Sequence, residues 1–224
     1  MASVRSLPRS VQAENGGGSS VVLGLPRLDA QLTSRWLLRS EPQCLAVPGD
    51  SPVVTLSDGL VTLRCWSRDD AQFMAEASAD PAIQRYNGSH DRLGRPSPPL
   101  SATDAEARID KFASNWRAFA STGTPSGVAL AILDGRSGEV VGCCGVDDWS
   151  KDDVAQVGYW LAPTARGRGY ATRAAILLTR WLFDLGAARV FLTIVAGNEE
   201  SVAVAHRAGF VYEHALAHRR SGAG

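Results

Sequence analysis

From residue 60 onward, apolar and polar positions follow one another with the regularity of secondary structure. Short apolar runs bounded by turn residues predict strands, and apolar positions three and four apart predict helices. Strands are expected at residues 60–64, 128–133, 139–146, 154–161, 189–195 and 210–216. Helices are expected at residues 69–79, 103–121, 168–185 and 198–208. Thr103 and Glu106 have the spacing of a capping box at the start of the second helix.

The order of these elements, β-α-α-β-β-β-α-β-α-β, combines hairpins with crossover connections. It predicts an α/β (α+β) fold with a mixed sheet covered by helices. Residues 189–195 are almost continuously apolar, which predicts a strand covered on both faces. Residues 80–100 are rich in Pro, Gly, Asn and Ser, and we expect a mobile loop there after a short helical piece.

The first part of the chain lacks this regularity. Residues 1–20 are polar and include a Gly-Gly-Gly-Ser-Ser run, which predicts a flexible tail. Residues 21–54 contain apolar pieces interrupted by prolines. We therefore divide the chain into a partly flexible N-terminal extension, residues 1–55, and a folded domain, residues 56–224.

Composition narrows the possible functions. A formal net charge of +0 argues against a broad nucleic-acid surface. No apolar run approaches the ~20 residues needed to cross a bilayer and no signal peptide is visible, so we expect no membrane partner and a cytoplasmic location. The cysteines match no zinc spacing, so no metal site is expected.

Residues 158–172 are the most informative stretch of the sequence. A predicted strand ends at Pro163, a turn containing Gly167 and Gly169 follows, and a helix begins. The first amides of a helix have no intrahelical acceptor, and the helix dipole adds partial positive charge there. Glycines remove side chains and allow a ligand to approach the backbone closely. This arrangement is typical of a pyrophosphate cradle, although a glycine pair alone is equally typical of an ordinary strand-to-helix turn.

Three motifs in order resemble a known family. Arg166-Gly167-Arg168-Gly169-Tyr170-Ala171 resembles the Arg/Gln-x-x-Gly-x-Gly/Ala motif of the GNAT superfamily of acyl-CoA-dependent N-acyltransferases. Residues 158–161 and 198–210 resemble the branch that acetylates the N-termini of ribosomal proteins. The resemblance covers about residues 56–216. It implies a GNAT-like central sheet, mixed but mostly antiparallel and flanked by helices.

The resemblance also implies how acetyl-CoA, the co-substrate, is bound, with no metal involved. Backbone amides of residues 166–172 would hold the pyrophosphate, and pantetheine would lie where the strand ending at Leu161 splays from the strand ending at Val195. Asn198 would bind the pantetheine arm, unless it is simply a helix N-cap. The implied cofactor-binding residues are Leu161, Arg166, Gly167, Arg168, Gly169, Tyr170, Ala171, Thr172, Asn198 and Ser201.

The sequence departs from the family at both usual catalytic positions. Gln156 stands where a carboxylate is common, and Ala205 stands where a tyrosine often protonates the thiolate. Asp147 and Asp148 follow a strand that should end near the cleft, so either could act as a base through water; alternatively, both are solvated loop acids. Ser201 is expected near the sulfur. The catalytic candidates are therefore Asp147, Asp148 and Ser201.

Aromatic residues are the candidates for acceptor binding. Tyr86 lies in the predicted loop, where it could help close the site. Of Trp149, Tyr159 and Trp160, we expect only one to contact the substrate, because aromatics on strands usually belong to a core. The substrate-binding candidates are Tyr86, Trp149 and Tyr159.

The C-terminus is short for the family, whose members usually carry one more hairpin strand after the strand that matches residues 210–216. Its absence would leave a sheet edge open. Part of residues 21–54, or a partner chain, could cover that edge.

These features together favour an N-acetyltransferase that acts on a primary amine, most plausibly a protein N-terminus and otherwise a small amine, as a monomer or homodimer. The alternative is a catalytically silent acyl-CoA-binding or interaction domain, which Gln156, Ala205 and the short C-terminus would suit.

Overall fold

A computed structural model describes residues 19–26, 54–87 and 97–217 of the chain. Within these ranges the strands form one eight-stranded sheet. They are β1 (Ser19–Pro26), β2 (Thr55–Ser57), β3 (Val61–Cys65), β4 (Val128–Asp134), β5 (Val140–Trp149), β6 (Val154–Leu161), β7 (Arg189–Val195) and β8 (Val211–Ala217). Their order is β2-β3-β4-β5-β6-β7-β1-β8, and only the pairing of β6 with β7 is parallel. The predicted mixed, mostly antiparallel sheet is confirmed.

Helices pack on this sheet. They are α1 (Ala71–Ser78), α2 (Pro81–Asn87), α3 (Ala102–Thr122), α4 (Tyr170–Asp184) and α5 (Glu199–Arg207). None of the helices in the described ranges is long and apolar enough to cross a bilayer. The short helical piece expected at the start of residues 80–100 is α2, which Asp80 caps by accepting a hydrogen bond from the amide of Ile83 at 2.9 Å.

The N-terminus of α3 differs from the prediction. The capping box is formed by Ser101 and Asp104, not by Thr103 and Glu106. Ser101 Oγ accepts from the amide of Asp104 at 3.1 Å, and the Asp104 carboxylate accepts from the amide of Ser101 at 3.2 Å. The prediction was wrong because two overlapping Ser/Thr-x-x-Asp/Glu patterns occur here, and the earlier one begins the helix.

Strand β1 comes from the N-terminal extension and lies between β7 and β8. It pairs with both neighbours, so that Leu23 is opposite Leu192 of β7 and Tyr212 of β8. The side chains of Val21, Val22 and Leu23 are at most 5% exposed. The N-terminal extension therefore supplies a partner for β8, as expected, but as an inserted strand; the outer edge of β8 has no strand partner among the described residues. The sheet thus contains residues from both sides of the domain boundary predicted at residue 55.

An ion pair crosses β1 and joins its two neighbours. Arg189 of β7 donates through Nε to Oε1 of Glu213 on β8 at 3.0 Å. Gly24 of β1 makes room for this contact, because a Cβ on Gly24 would lie only 2.0 Å from Glu213 Oε1. The inserted strand is therefore enclosed by side chains as well as by two backbone ladders.

Strands β6 and β7 separate after a short parallel ladder. Their pairing runs from Val154 opposite Arg189 to Gln156 opposite Phe191 and then ends. Beyond that point β6 pairs only with β5, and β7 pairs only with β1. The gap between the diverging strands is the one that the family resemblance implied.

Apolar side chains fill both faces of the sheet centre. Along β4, Leu130 belongs to a large cluster that includes α4, whereas Ala131 belongs to a smaller cluster that includes α1 and part of α3. Adjacent Cys144 and Cys143 separate between the same two clusters. Both cysteines are buried, so they serve as small apolar side chains on opposite faces of the sheet.

Strand β7 is buried on one face rather than on two. Val190, Leu192 and Ile194 are at most 4% exposed, whereas Val195 is 37% exposed and the residues between them are half-buried. The prediction of a strand covered on both faces was wrong because Thr193 borders the open gap between β6 and β7.

Candidate active site

The loop between β6 and α4 exposes a run of backbone donors. A short 3-10 turn, Pro163–Ala165, follows β6, and α4 begins without any side-chain cap. Arg166 donates its own amide to Pro163 O at 3.3 Å, and Arg173 donates to Gly169 O at 3.2 Å. No described residue accepts a hydrogen bond from the amides of residues 167–172. The free donors therefore begin at Gly167, one residue later than the predicted range.

Two glycines give this loop its shape. Gly167 has φ +74° and Gly169 has φ +83°, a left-handed conformation that side-chain-bearing residues rarely adopt. A Cβ added to either residue would meet no atom within 4 Å. The glycines are thus required by backbone conformation, and the space beside them is open to a ligand. This geometry fits the diphosphate of acetyl-CoA.

The side chain of Arg166 holds the neighbouring elements together. Its guanidinium donates to Asp80 at 2.5 Å and to Leu161 O at 3.2 Å. Burial alone would raise the pKa of Asp80, but the hydrogen bond and charge of Arg166 bring that pKa below its usual value. Arg166 therefore ties the loop to the start of α2, and the carbonyl of Leu161 already has a partner.

The other predicted loop residues differ in their surroundings. Tyr170 donates its hydroxyl to Asp134, and the Arg168 guanidinium lies 5.2 Å from the centre of the Tyr170 ring. Ala171, in the first turn of α4, is buried, and Thr172 is half-buried. For these residues the backbone amides, rather than the side chains, are what the loop offers to a ligand.

A cleft of about 570 Å³ opens where β6 and β7 diverge. Residues of β6, β7, α3 and the start of α5 line it, as does the end of α2. Tyr86 of α2 donates to Gly197 O at 3.2 Å, and Asn87 donates to Tyr159 O at 3.2 Å. Tyr86, which was expected in a mobile loop, thus belongs to a helix, and the end of this helix contacts both sides of the cleft.

Tyr159 and Ser201 meet inside the cleft. The Tyr159 hydroxyl lies 2.9 Å from Ser201 Oγ and donates to Ser201 O at 3.0 Å. Burial raises the pKa of Tyr159 to about 12, although its hydrogen bond to Ser201 acts in the opposite direction. Asn198 lines the same cleft and caps α5, because its side-chain oxygen accepts from the amide of Ser201 at 3.2 Å. The expected N-cap role of Asn198 is therefore present, and its side-chain amide nitrogen is left for a ligand.

The structure separates Asp147 from Asp148. The ladder between β5 and β6 shifts register between Val146 and Asp148, so Asp147 is the extra residue of a β-bulge. Its carboxylate lines the cleft beside Gly158, where a Cβ would lie 3.0 Å from Asp147 Oδ2. The surrounding cleft walls partly desolvate this carboxylate and raise the pKa of Asp147, although its side chain, like that of Asp148, is exposed to solvent. Asp148 is exposed and does not line the cleft.

Trp149 does not reach the cleft. It packs against the larger apolar cluster and donates through Nε1 to Asp153 at 3.2 Å. The bulge at Asp147 is followed by normal pairing, which directs Trp149 to the core side together with its partner Ala155. Of the three aromatic candidates for acceptor binding, Tyr159 and Trp160 line the cleft and Trp149 does not.

Sequence reasoning missed the contribution of α3. Arg108, Lys111 and Asn115 lie on one face of this helix and line the cleft opposite β6. Their spacing of three and four residues places them on one helix face, a signal that the sequence contains. Solvated charges on a surface helix are common, so this spacing alone does not distinguish a cleft wall from an exposed face. The described histidines, cysteines and carboxylates form no group of three that could hold a metal ion.

Comparison with known proteins identifies the family. Residues 61–211 match the sequence profile of the acetyltransferase (GNAT) domain, which covers more than half of the 224-residue chain. The chain therefore belongs to the GNAT family of acetyltransferases, and acetyl-CoA is its expected co-substrate. A search of curated proteins gave no match.

Solved structures share the fold. RimJ of Mycobacterium smegmatis, in complex with CoA-disulfide, is 22% identical with a TM-score of 0.55, over 74% of this chain and 87% of that chain. Ribosomal-protein-S5-alanine acetyltransferase of Vibrio fischeri is 16% identical with a TM-score of 0.55, over 70% and 83%. The microcin C7 self-immunity acetyltransferase MccE, in complex with acetyl-CoA and AMP, is 20% identical with a TM-score of 0.56, over 69% and 81%. At these identities the likeness establishes the fold.

Proposed function

We propose that this acetyltransferase transfers the acetyl group of acetyl-CoA to a primary amine, either a protein N-terminal α-amine or the amine of a small molecule. The observation that carries the proposal is the run of free amides at residues 167–172, next to the gap between β6 and β7. Donors on a helix N-terminus bind a diphosphate, and a gap between strands accommodates an extended pantetheine arm. The Asn198 side chain would hydrogen-bond that arm.

Asp147 is the proposed general base. Bound acetyl-CoA supplies an acetyl thioester, and the amine must lose a proton as it attacks the carbonyl carbon. The burial that raises the pKa of Asp147 makes its carboxylate a better proton acceptor than an ordinary aspartate. This residue takes over the role that Gln156 cannot perform. Asp148, which lies outside the cleft, is no longer a candidate.

Ser201 is the proposed donor to the leaving sulfur, with Tyr159 as its hydrogen-bond partner. The two hydroxyls are hydrogen-bonded to each other, so a proton on Ser201 Oγ can be oriented by Tyr159. With its pKa raised to about 12, Tyr159 stays protonated and remains a donor throughout the neutral range. This pair replaces the tyrosine whose position is occupied by Ala205, a fully buried residue.

The acceptor amine would enter on the side of Tyr86 and Trp160. A protein α-amine has an unperturbed pKa of about 8, so positioning beside a modest base suffices to deprotonate it. A lysine-type amine, with a pKa of about 10.4, would demand a stronger base. The site therefore favours α-amines. The cytoplasmic location predicted from the sequence would be consistent with such a substrate.

Calorimetric titration followed by an acceptor panel tests the proposal. The purified protein is titrated with acetyl-CoA, and release of free thiol is then measured with N-terminal peptides and small amines. We expect saturable binding and turnover with at least one α-amine. Binding without turnover on any acceptor would favour a silent acyl-CoA-binding domain. Absence of binding at millimolar acetyl-CoA would refute the proposed cradle.

A further inference from the structure

The wall of the cleft formed by α3 carries positive charge. Arg108 and Lys111 are both exposed on the helix and both line the cleft, with Phe112 between their side and the apolar interior. Arg108 also lines a smaller adjoining cavity of about 110 Å³, so it lies where the two cavities meet. Among the described residues that line these cavities, Asp147 is the only carboxylate to oppose the two cations.

Neither cation has an anionic partner among the described residues. In the described ranges, Arg108 and Lys111 make no ion pair, whereas Asp110 on the adjacent face of α3 pairs with Arg68 at 2.6 Å. An arginine fork with free donors matches a carboxylate in shape and charge, and a nearby lysine adds a mobile point charge. The two side chains are thus available to a ligand in the cleft.

These cations are separate from the phosphate-binding loop. The cleft that they line contains none of residues 166–172, whereas Arg168 and Tyr170 line a different cavity of about 240 Å³. Arg108 and Lys111 instead share the cleft with Asp147, the proposed base, and with Tyr86. Their charge therefore acts on the acceptor rather than on the diphosphate of acetyl-CoA.

Charge balance then restricts the acceptor. A protonated amine that approaches Asp147 also approaches two cations, and like charges disfavour that approach unless the acceptor brings compensating negative charge. We propose, on the basis of the function proposed above, that the acceptor is a primary amine carrying a carboxylate a few bonds away, which Arg108 and Lys111 bind. The carboxylate belongs either to an acidic residue near a peptide N-terminus or to a small amino acid.

Matched acceptors test this inference and distinguish the two sources. One pair is a peptide with Asp at its second and third positions and the same peptide with Asn there; the other is a free amino acid and its amide. We expect kcat/KM for the acidic member of the recognised pair to exceed that of its neutral partner by about tenfold or more, and the ratio to fall as salt rises. Equal values within both pairs would overturn the proposal.

Charge reversal identifies the residues responsible. Arg108→Glu and Lys111→Glu should abolish or invert the preference for the acidic acceptor, mainly through KM, while the Kd for acetyl-CoA stays unchanged. Arg117→Glu is the matched control, because Arg117 is exposed on the same helix but does not line the cleft. A loss of preference in Arg117→Glu equal to that in Arg108→Glu would indicate only a general charge effect and would refute the assignment.

A binding measurement separates failure of this inference from failure of the proposed function. The same peptides and amino acids are titrated by calorimetry into protein saturated with CoA, which requires no turnover. Preferential binding of acidic acceptors without thiol release would remove the transferase proposal and retain the anionic subsite. Turnover with no difference between acidic and neutral acceptors would retain the transferase proposal and remove the anionic subsite.

Discussion

The two walls of the cleft are built in different ways. Strand β6 pairs with β5 as far as Leu161 opposite Gly142, and the loop and helix α4 that follow it are contiguous with it in sequence. The outer half of β7 has only β1 as a ladder partner, and β1 comes from the opposite end of the chain. The β6 wall therefore depends on local sequence, whereas the β7 wall depends on a distant segment.

The two walls also differ in what they contribute to the site. The β6 wall contributes Gly158 and Tyr159 to the cleft and leads into the loop with the free amides, so this side contains most of the groups to which chemistry is assigned. The β7 wall contributes mainly position, because its buried face continues the apolar core and its other face borders the cleft. We expect changes to the first wall to alter binding or rate, and changes to the second to alter folding as well.

Removal of β1 should have the largest effect. Deletion of residues 1–26 takes away three buried side chains, each worth about 1.5–3 kcal/mol of folding free energy, and the only partner of the outer β7. We expect Tm, measured by circular dichroism, to fall by roughly 10–20 °C, with loss of acetyl-CoA binding.

Deletion of residues 1–18 is the matched control, because it leaves β1 intact. A synthetic peptide of residues 19–26 added to the longer deletion should restore part of the lost Tm. Equal melting temperatures for the two deletions would show that the β7 wall does not need this strand.

Asp147→Asn tests the chemistry of the β6 side. We expect kcat to fall by about 10²–10⁴-fold with little change in the Kd for acetyl-CoA, whereas Asp148→Asn should retain near-normal kcat. In the parent enzyme, kcat/KM should rise with pH through a carboxylate pKa above the usual aspartate value, because the base must be ionised. Asp147→Asn should lose this limb.

Asp147→Asn should lower kcat without lowering the stability of the folded protein. Because the pKa of Asp147 is raised in the folded protein, its contribution to folding is most favourable at low pH and is lost as pH rises through the folded pKa. Near pH 7 the ionised carboxylate opposes folding, so Asp147→Asn should melt at the same or a higher temperature. A lower Tm together with lower kcat would point to a structural role instead.

Gly169→Ala should have an intermediate effect that separates strain from ligand binding. Gly169 and Gly59 both have φ +83° and both have open space where a Cβ would lie. Each substitution should cost about 1–2 kcal/mol of folding free energy through the left-handed backbone. Only Gly169→Ala should also weaken acetyl-CoA binding, by about tenfold in calorimetry. Equal Kd values for the two variants would remove Gly169 from the site.

The ion pair across β1 should matter least. Its two side chains, Arg189 and Glu213, are 31% and 27% exposed, so solvent screens much of their attraction. We expect Glu213→Gln to cost less than about 1 kcal/mol in urea denaturation. A double-mutant cycle with Arg189→Met isolates the pair, and a coupling well above that value would mean that the ion pair is a main support of the β7 wall.

The features of the β6 wall could be predicted because their causes are local. A proline after the strand and two glycines before the helix determine the loop by themselves, and Asn198 caps α5 from the position immediately before the helix begins. The amides of residues 167–172 follow from helix geometry alone. The local residues predict the shape of the loop, and the family motif identifies acetyl-CoA as its expected ligand.

The β7 wall and the proposed base could not be predicted in the same way. Residues 21–23 are visibly apolar, but nothing nearby in sequence indicates that Leu23 pairs with Leu192. The bulge that turns Asp147 into the cleft and leaves Asp148 outside depends on register against β6, which a single strand does not reveal. Local patterns specify elements, and pairing between distant elements decides which side chains meet.

The placement of β1 also has a consequence for how the protein is made. This strand leaves the ribosome before the other strands of the sheet, yet its partners on β7 and β8 are synthesised about 170 and about 190 residues later. Until β7 and β8 have been synthesised, both edges of this apolar strand lack their partners. The contacts of β1 with these two strands therefore have a very high contact order. We therefore expect the β7 side of the cleft to be completed only after β7 and β8 have left the ribosome.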